Sequence, residues 1–313
     1  MVSGGNRLNE FASLIALTMN AGTPLLLAAL GIVINERSGV VNLGTEGMML
    51  VAAVVGFATT LNTGHYWLGF MAGAAAGIVM AMLFATLAVG LLSNQFATGL
   101  ALSIFGAGLS AFIGLALQGD TLPSRGADGV PMLRDVAFIG PALFAQHSLV
   151  YFSLSLTAAV AWFLFRTRGG LILRATGESP ESAHALGYSV RRIRCAALAF
   201  GGACAGLAGA YLSTIYTPLW SEGMVAGRGW IALALVTFAT WRPGRLLLGA
   251  YLFGGVTMLQ FYLQGQGVEV PAQWLAMTPY VATIVVLALI SRNPSWIRLN
   301  MPASLGKPFS PNT

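Results

Sequence analysis

The residues from which this 313-residue chain could build catalytic, metal-binding or ion-relay chemistry are few: ten carboxylates, three histidines, two cysteines and one lysine. A membrane-embedded enzyme would have to use Glu36, Glu46 or Glu222 as acid and base, and no paired carboxylates, metal cluster or nucleophile-and-base arrangement supports it. His65, His147 and His184 fall in separate segments, so no metal site assembles from neighbouring ligands. Cys195 and Cys204 lie nine residues apart on one expected helix, beyond disulfide reach at about 1.5 Å of rise per residue, and read as packing thiols. Lys307 sits in SLGKPFS, where proline takes the place that a phosphate-binding loop gives to Ser or Thr, so that motif binds no nucleotide. Ion-driven carriers place carboxylates or histidines inside their spans as relays, and the long apolar segments after Glu46 contain none. A chain of this kind that moves a solute uphill takes its energy from another chain.

The densest charge is RATGESPESAHALGYSVRRIR, Arg174 to Arg194. Ser179 can cap a helix and Pro180 suits its first position, while Gly187 suits its end. Between them lie about two turns, with Ala183, Leu186, Gly187 and Val190 spaced as one apolar face. Two turns are marginal alone in water. The face could rest on lipid headgroups, but that contact favours larger anchors; small residues suit the close approach of a soluble protein.

The elements that carry these residues follow from composition. Charged residues make up 8% of the chain and apolar ones 56%, with a mean hydropathy of +0.75, where a soluble domain has about 25% charged residues. Lipid offers backbone groups no water, so only helices or a closed barrel span it, and these runs are too long for barrel strands. The expected fold is all-α and polytopic, with about nine transmembrane helices, eight to ten, and one short cytoplasmic helix. The spans are read at Phe11–Ile34, Gly47–Leu61, Trp67–Leu92, Ala97–Leu117, Leu149–Phe165, Cys195–Thr217, Trp230–Thr240, Leu246–Gln264 and Ala276–Ile290. Residues 1–313 form one membrane domain, with a cytoplasmic loop over 166–194 and an external segment over 118–148. Six of the fifteen arginines lie between Arg166 and Arg194, and Arg242, Arg245, Arg292, Arg298 and Lys307 mark two more basic segments. By the positive-inside rule all three are cytoplasmic, which places the carboxyl terminus inside and the amino terminus outside. The net charge of +6 follows from these loops; no basic patch with interleaved aromatics points to nucleic acid.

Glu181, Ala183 and Gly187 in ESAHALG resemble the E-A-A-x-x-x-G cytoplasmic loop of ABC importer permeases, with Ser182 at the second small position. INERSGVVNLGTEGMMLVAA looks like the segment after the first conserved span in permeases of the simple-sugar, nucleoside and branched-chain amino-acid group. NQFATGLALSIFG and EGMVAGRGWIALALVTFATWRPGRLLLGAYLFGG look most like its nucleoside and simple-sugar branch. The resemblance implies a bacterial plasma-membrane permease that binds no cofactor itself. Its implied partners are a second permease subunit, an ATPase carrying ATP and Mg, an extracytoplasmic solute-binding protein and a nucleoside or sugar. Ser179, Pro180, Glu181, Ala183, Leu186 and Gly187 would then couple to the ATPase.

Other polar groups stand between the apolar runs. NERSGVVNLGTEG, Asn35 to Gly47, reads either as a turn with Glu36 and Arg37 paired across neighbours or as a broken helix lining a solute path, in which Asn42 and Glu46 would serve. Asn94, Gln95 and Thr98 bring amide and hydroxyl groups to a helix start, as a capped turn or as further path residues. Glu222, Arg228 and Trp230 sit at an expected outer boundary, where Trp can be an interfacial anchor and a charged rim suits a binding protein. Gly69, Gly73 and Gly77, and Gly202, Gly206 and Ala210, form small-residue stripes that let helices pack closely in lipid. The reading favoured is an ABC importer permease for nucleosides or related sugars, against an ion-coupled carrier or a membrane-embedded enzyme.

Overall fold

The computed structural model describes residues 3–123, 129, 139–265, 274, 277–278, 281, 284–285, 288 and 300–310, with side chains from residue 11 onward. Among the described residues the chain forms ten α-helices: α1 (Ser3–Arg37), α2 (Thr45–Thr63), α3 (Tyr66–Ala85), α4 (Gln95–Gly114), α5 (Ser148–Arg166), α6 (Arg168–Glu178), α7 (Pro180–Ala185), α8 (Val190–Tyr211), α9 (Arg228–Phe238) and α10 (Pro243–Gly265). Single π turns lengthen α3 to Gly90 and α8 to Tyr216. One antiparallel bridge joins Thr121 to Leu219.

Seven of these helices, α1 to α5, α8 and α10, are long and apolar enough to cross a membrane. The expected count of about nine is not confirmed among the described residues. The span read at Trp230–Thr240 is the 11-residue α9, about 16 Å long at 1.5 Å per residue, roughly half the hydrocarbon thickness. It stops where Thr240 and Trp241 take φ of 50° and 54° ahead of Pro243. The ninth expected span, Ala276–Ile290, lies for the most part outside the described residues, as do 124–128 and 130–138 of the external segment.

α1, α2 and α8 form the interior of the bundle, while α4, α5 and α10 are more exposed. Leu26, Leu30, Met48, Met49, Phe57, Phe70 and Tyr211 are fully buried between these helices. The two small-residue stripes face each other: a Cβ on Gly77 would lie 2.1 Å from the Gly202 carbonyl oxygen, and one on Gly206 would lie 2.3 Å from that of Gly73. The backbones of α3 and α8 are thus in contact, which only side chains of this size permit.

One end of the bundle gathers Arg37, Arg166, Arg168, Arg174, Arg191, Arg194, Arg242, Arg245 and Lys307 and is termed the basic end. α4 serves as a ruler from that end, since Gln95 lies beside Val41 and Gly114 lies under Trp220 at the far end. Gly47, at the start of α2, packs against Ser103 and Gly106 of α4. It therefore sits about 12 Å along a helix of roughly 30 Å, well inside the bundle.

Gly206→Val should disrupt the α3–α8 contact, because backbone cannot move aside as a side chain can. An overpacking penalty of about 1–3 kcal/mol is expected, read as a lower thermal midpoint or loss of the monodisperse species in detergent. Exposed Gly108, whose added Cβ meets nothing within 4 Å, should accept Val without loss and provides the control.

Candidate functional site

The segment between α1 and α2 is not a surface turn. Every residue from Asn35 to Gly47 except Leu43 is buried, and 38–44 is non-helical. Gly39, at φ 90°, stands at the basic end, where its carbonyl accepts from the Gly306 N–H at 3.1 Å. The chain then climbs inward. The Gln95 Oε1 accepts the Val41 N–H at 2.9 Å, and the Asn42 Oδ1 accepts the Gly44 N–H at 2.9 Å. The Ser103 hydroxyl donates to the Leu43 carbonyl at 2.8 Å. Polar side chains thus satisfy a stretch of backbone that no ladder pairs, as lipid surroundings demand.

A second break enters from the opposite end. Trp220 packs on Gly114 near the far end of α4, and the chain descends through turns to Gly227, at φ 79°, before α9 begins. The two breaks meet at Glu46. Its Oε1 accepts the Gly227 N–H at 2.8 Å and its Oε2 accepts the Gly229 N–H at 2.7 Å. Glu46 is also in the first turn of α2, so one carboxylate lies at the positive ends of two half-length or displaced helices. Arg228 turns back toward the far end, where its Nη1 donates to the Met224 and Val225 carbonyls, both at 3.1 Å, and its guanidinium lies 5.5 Å from the Tyr216 ring centroid. α9 ends at the basic end, where the Trp241 indole N–H donates to the Glu36 carboxylate.

The basic end is tied by the carboxyl-terminal segment. Arg194 donates to the Ser38 carbonyl, the Lys307 carbonyl and the Ser304 hydroxyl. Ser304 donates in turn to the Gly177 carbonyl at 2.7 Å. Arg37 donates to the carbonyls of Asn300 and Trp241, so Glu36 and Arg37 each bond across the break rather than forming the neighbour pair of the turn reading. α7 projects beyond this knot. The Ser179 hydroxyl accepts the Ser182 N–H at 3.2 Å as its cap, Pro180 is the first helical residue, and Gly187 closes the turn at φ 89°.

The single apolar face expected on α7 is corrected. Ala183 and Val190 are buried inward with Pro180, while Leu186 is 77% exposed and Gly187 is exposed with nothing within 4 Å of an added Cβ. The helix stops at Ala185 and the positive φ of Gly187 ends its periodicity, so residues beyond it cannot share a helical face. Glu181 is exposed. Beside these residues a cavity of about 390 Å³ opens between Gly90, His184, Tyr188, Arg191 and Phe309.

The expected path residues are placed apart. Asn42, Glu46 and Gln95 converge on the 38–44 break. Asn94 is the amino-terminal cap of α4, its Oδ1 accepting from the Phe96 and Ala97 N–H groups at 3.0 and 3.1 Å. Thr98 shares a 2.8 Å hydroxyl contact with Ser93 and lines a separate groove with Leu83, Leu87 and Phe105. Glu222 is exposed near the far end, while Arg228 and Trp230 lie deeper than the outer rim expected for them, because the Gly227 and Gly229 N–H groups on either side of Arg228 bond to Glu46. Sequence reasoning missed Trp241, Tyr216 and Arg194. Only Gly227, a glycine directly before a short apolar run, signalled the second break.

Among the described residues, no group of three or more His, Cys, Asp or Glu comes together. Residues 14–290 match the family described as branched-chain amino acid transport system / permease component. The chain is 40% identical to a Haloferax volcanii protein named as a glucose ABC transporter permease, over 94% of this chain and 96% of that one. It is 34% identical to the nucleoside ABC transporter permease protein NupC of Lactococcus lactis, over 91% and 94% of the two chains. It is 32% identical to the guanosine ABC transporter permease protein NupQ of Bacillus subtilis, over 88% and 90%. No solved structure matches it.

Removing the Glu46 carboxylate should release α9. Glu46→Ala opens two N–H groups inside the bundle, at about 1–3 kcal/mol for each buried donor left without a partner. Its unfolding midpoint in detergent should fall by several degrees, and Glu46→Gln, which keeps one acceptor oxygen, should fall less. Identical midpoints for the parent and Glu46→Ala would remove the clamp from the account.

Proposed function

The chain belongs to the branched-chain amino acid transport system / permease component family and is a multi-span permease subunit of an ABC transporter; from that premise we propose that it imports nucleosides or related simple sugars by alternating access. The names of the relatives at 32–40% identity supply the solute class. Family membership favours ATP-driven transport over an ion-coupled carrier or a membrane-embedded enzyme. ATP and Mg belong on a separate ATPase subunit, and this chain binds no cofactor.

The observation that carries the coupling reading is the presentation of α7. Its cap and its inward Ala183 hold a short helix against the basic end, while Glu181, Leu186 and Gly187 are exposed and Gly187 borders a cavity. That is a rigid, exposed projection of the kind a soluble ATPase can seat. In this reading Ser179, Pro180 and Ala183 hold the helix, and Glu181, Leu186 and Gly187 meet the ATPase. The basic end is cytoplasmic by the positive-inside rule, with the amino terminus outside, in a bacterial inner membrane. The whole of 1–313 acts as one permease domain, with 166–194 its coupling loop. Segment 118–148 and Glu222 form the outer surface for a solute-binding protein, and a second permease subunit, a copy or a related chain, completes the pair.

Two measurements test this. Gly187→Ala should cost about 1 kcal/mol of backbone preference at a positive φ and leave assembly nearly normal. Gly187→Glu adds an unpaired charge to a contact that excludes water, so the protein should insert while co-purification of the ATPase and solute uptake are lost; normal levels of both would show that α7 is an ordinary loop. The cognate binding protein should bind a nucleoside or sugar at micromolar concentration or below, and selectivity for branched-chain amino acids would overturn the solute class.

A further inference from the structure

We propose that Trp230 and Arg228 form part of the wall that the passing solute touches, at half the depth of the bundle; the identity of that solute rests on the import reading above. The first ground is depth. Glu46 binds the backbone on both sides of Arg228, and the next residue, Gly47, packs on Ser103 and Gly106 in the middle stretch of α4. Trp230 and Arg228 therefore lie roughly 16 Å below Trp220 and Gly114, counting 1.5 Å for each residue of α4.

The second ground is exposure at that depth. Trp230 is 37% exposed and Arg228 and Tyr216 are half-buried. A Trp that anchors a protein in lipid sits at the headgroups, which this one does not. A guanidinium in the middle of a membrane faces protein or a water-filled cavity rather than hydrocarbon. Arg228 engages Nη1 on two carbonyls and rests on Tyr216, an arrangement that fixes its direction.

The third ground is chemistry. An indole face stacks on a nucleobase or on the C–H face of a sugar ring, and guanidinium N–H groups donate to hydroxyl or carbonyl oxygens. The negative group closest by, Glu46, has both oxygens engaged by backbone N–H groups, so the wall offers a stacking surface and donors. That suits an uncharged, oxygen-rich ring. Of the five path residues expected from sequence, Asn42, Glu46 and Gln95 are buried, Gln95 with its Nε2 unpaired, and Asn94 and Thr98 stand apart from the junction, which leaves Trp230 as the exposed aromatic surface on it.

The test uses the complete transporter, with its ATPase and binding protein, in proteoliposomes. In a background carrying Cys195→Ala and Cys204→Ala, Trp230→Cys should react with a membrane-impermeant charged thiol reagent, and guanosine, adenosine or glucose with the binding protein should slow the reaction. Val79→Cys, on the exposed side of α3, should stay unreactive. If Trp230→Cys does not assemble with the ATPase, Ala226→Cys reads the same descending segment. A position as unreactive as Val79→Cys overturns the proposal. In uptake, Trp230→Ala should lower the solute moved per ATP hydrolysed by roughly ten-fold, the scale of one lost stack, while binding-protein-stimulated hydrolysis persists and Trp230→Phe restores most of the yield. Unchanged yield in Trp230→Ala also overturns it. A parent transporter that takes up none of the three probes refutes the solute class alone, and the thiol reaction then still decides whether this wall is wet.

Discussion

Backbone N–H groups that open half-way across a bilayer have no water to bond, and in this chain two helices begin there. The carboxylate of Glu46 resolves the start of α9 by accepting from Gly227 and Gly229, and it does so from the first turn of α2, whose positive end its charge also suits. Everything near it follows from that requirement. The 38–44 segment runs non-helical through the interior with its backbone satisfied by turn bonds at Gly39 and Val40 and by Gln95, Asn42 and Ser103 beyond them. The segment before α9 can descend from Trp220 only because Gly227 adopts φ 79° and delivers its N–H to the carboxylate. Interrupted helices of this sort are tolerated in membranes where they are buried in protein or line a cavity.

The same logic links the interior to the basic end. α9 runs from Glu46 down to Trp241, whose indole bonds Glu36 and whose carbonyl accepts from Arg37. Arg194 then fastens Ser38 to the carboxyl-terminal segment, and Ser304 fastens that segment to Gly177, just before α7. His184 of α7 meets Phe309 edge-on at 5.7 Å. A short series of bonded groups therefore connects α7 with the 38–44 break and α9. Between these fixed points α3 and α8 touch through glycine backbones, with the Ala81 and Ala210 methyls seated on the facing glycines.

Much of this was legible in the sequence. The long apolar runs fixed an all-helical membrane fold, because lipid leaves backbone no other choice. Ser179, Pro180 and Gly187 marked α7 to within two residues, since caps and positive φ are local properties of those residues. The small-residue stripes identified close-packing helices, though not that they face each other. Asn94 illustrates the limit: an amide at a helix start reads equally as a cap or as a path group, and the cap is what the structure contains.

What only the tertiary structure decided is depth and pairing. Hydropathy is nearly the same for a helix that crosses and for one that begins half-way, so α9 read as a full span and Arg228 and Trp230 as an outer rim. Their position depends on a bond from Glu46, 181 residues earlier than Gly227, and no local pattern encodes a contact over that distance. The inward turn of Ala183 and Val190 depends likewise on the neighbours that bury them. By itself the sequence determined which segments are helical, which are apolar and which end is basic, because those are properties of a residue and its near neighbours. The fold decided which broken ends meet, because an unsatisfied N–H inside a membrane takes whatever acceptor the packing of distant helices brings to it.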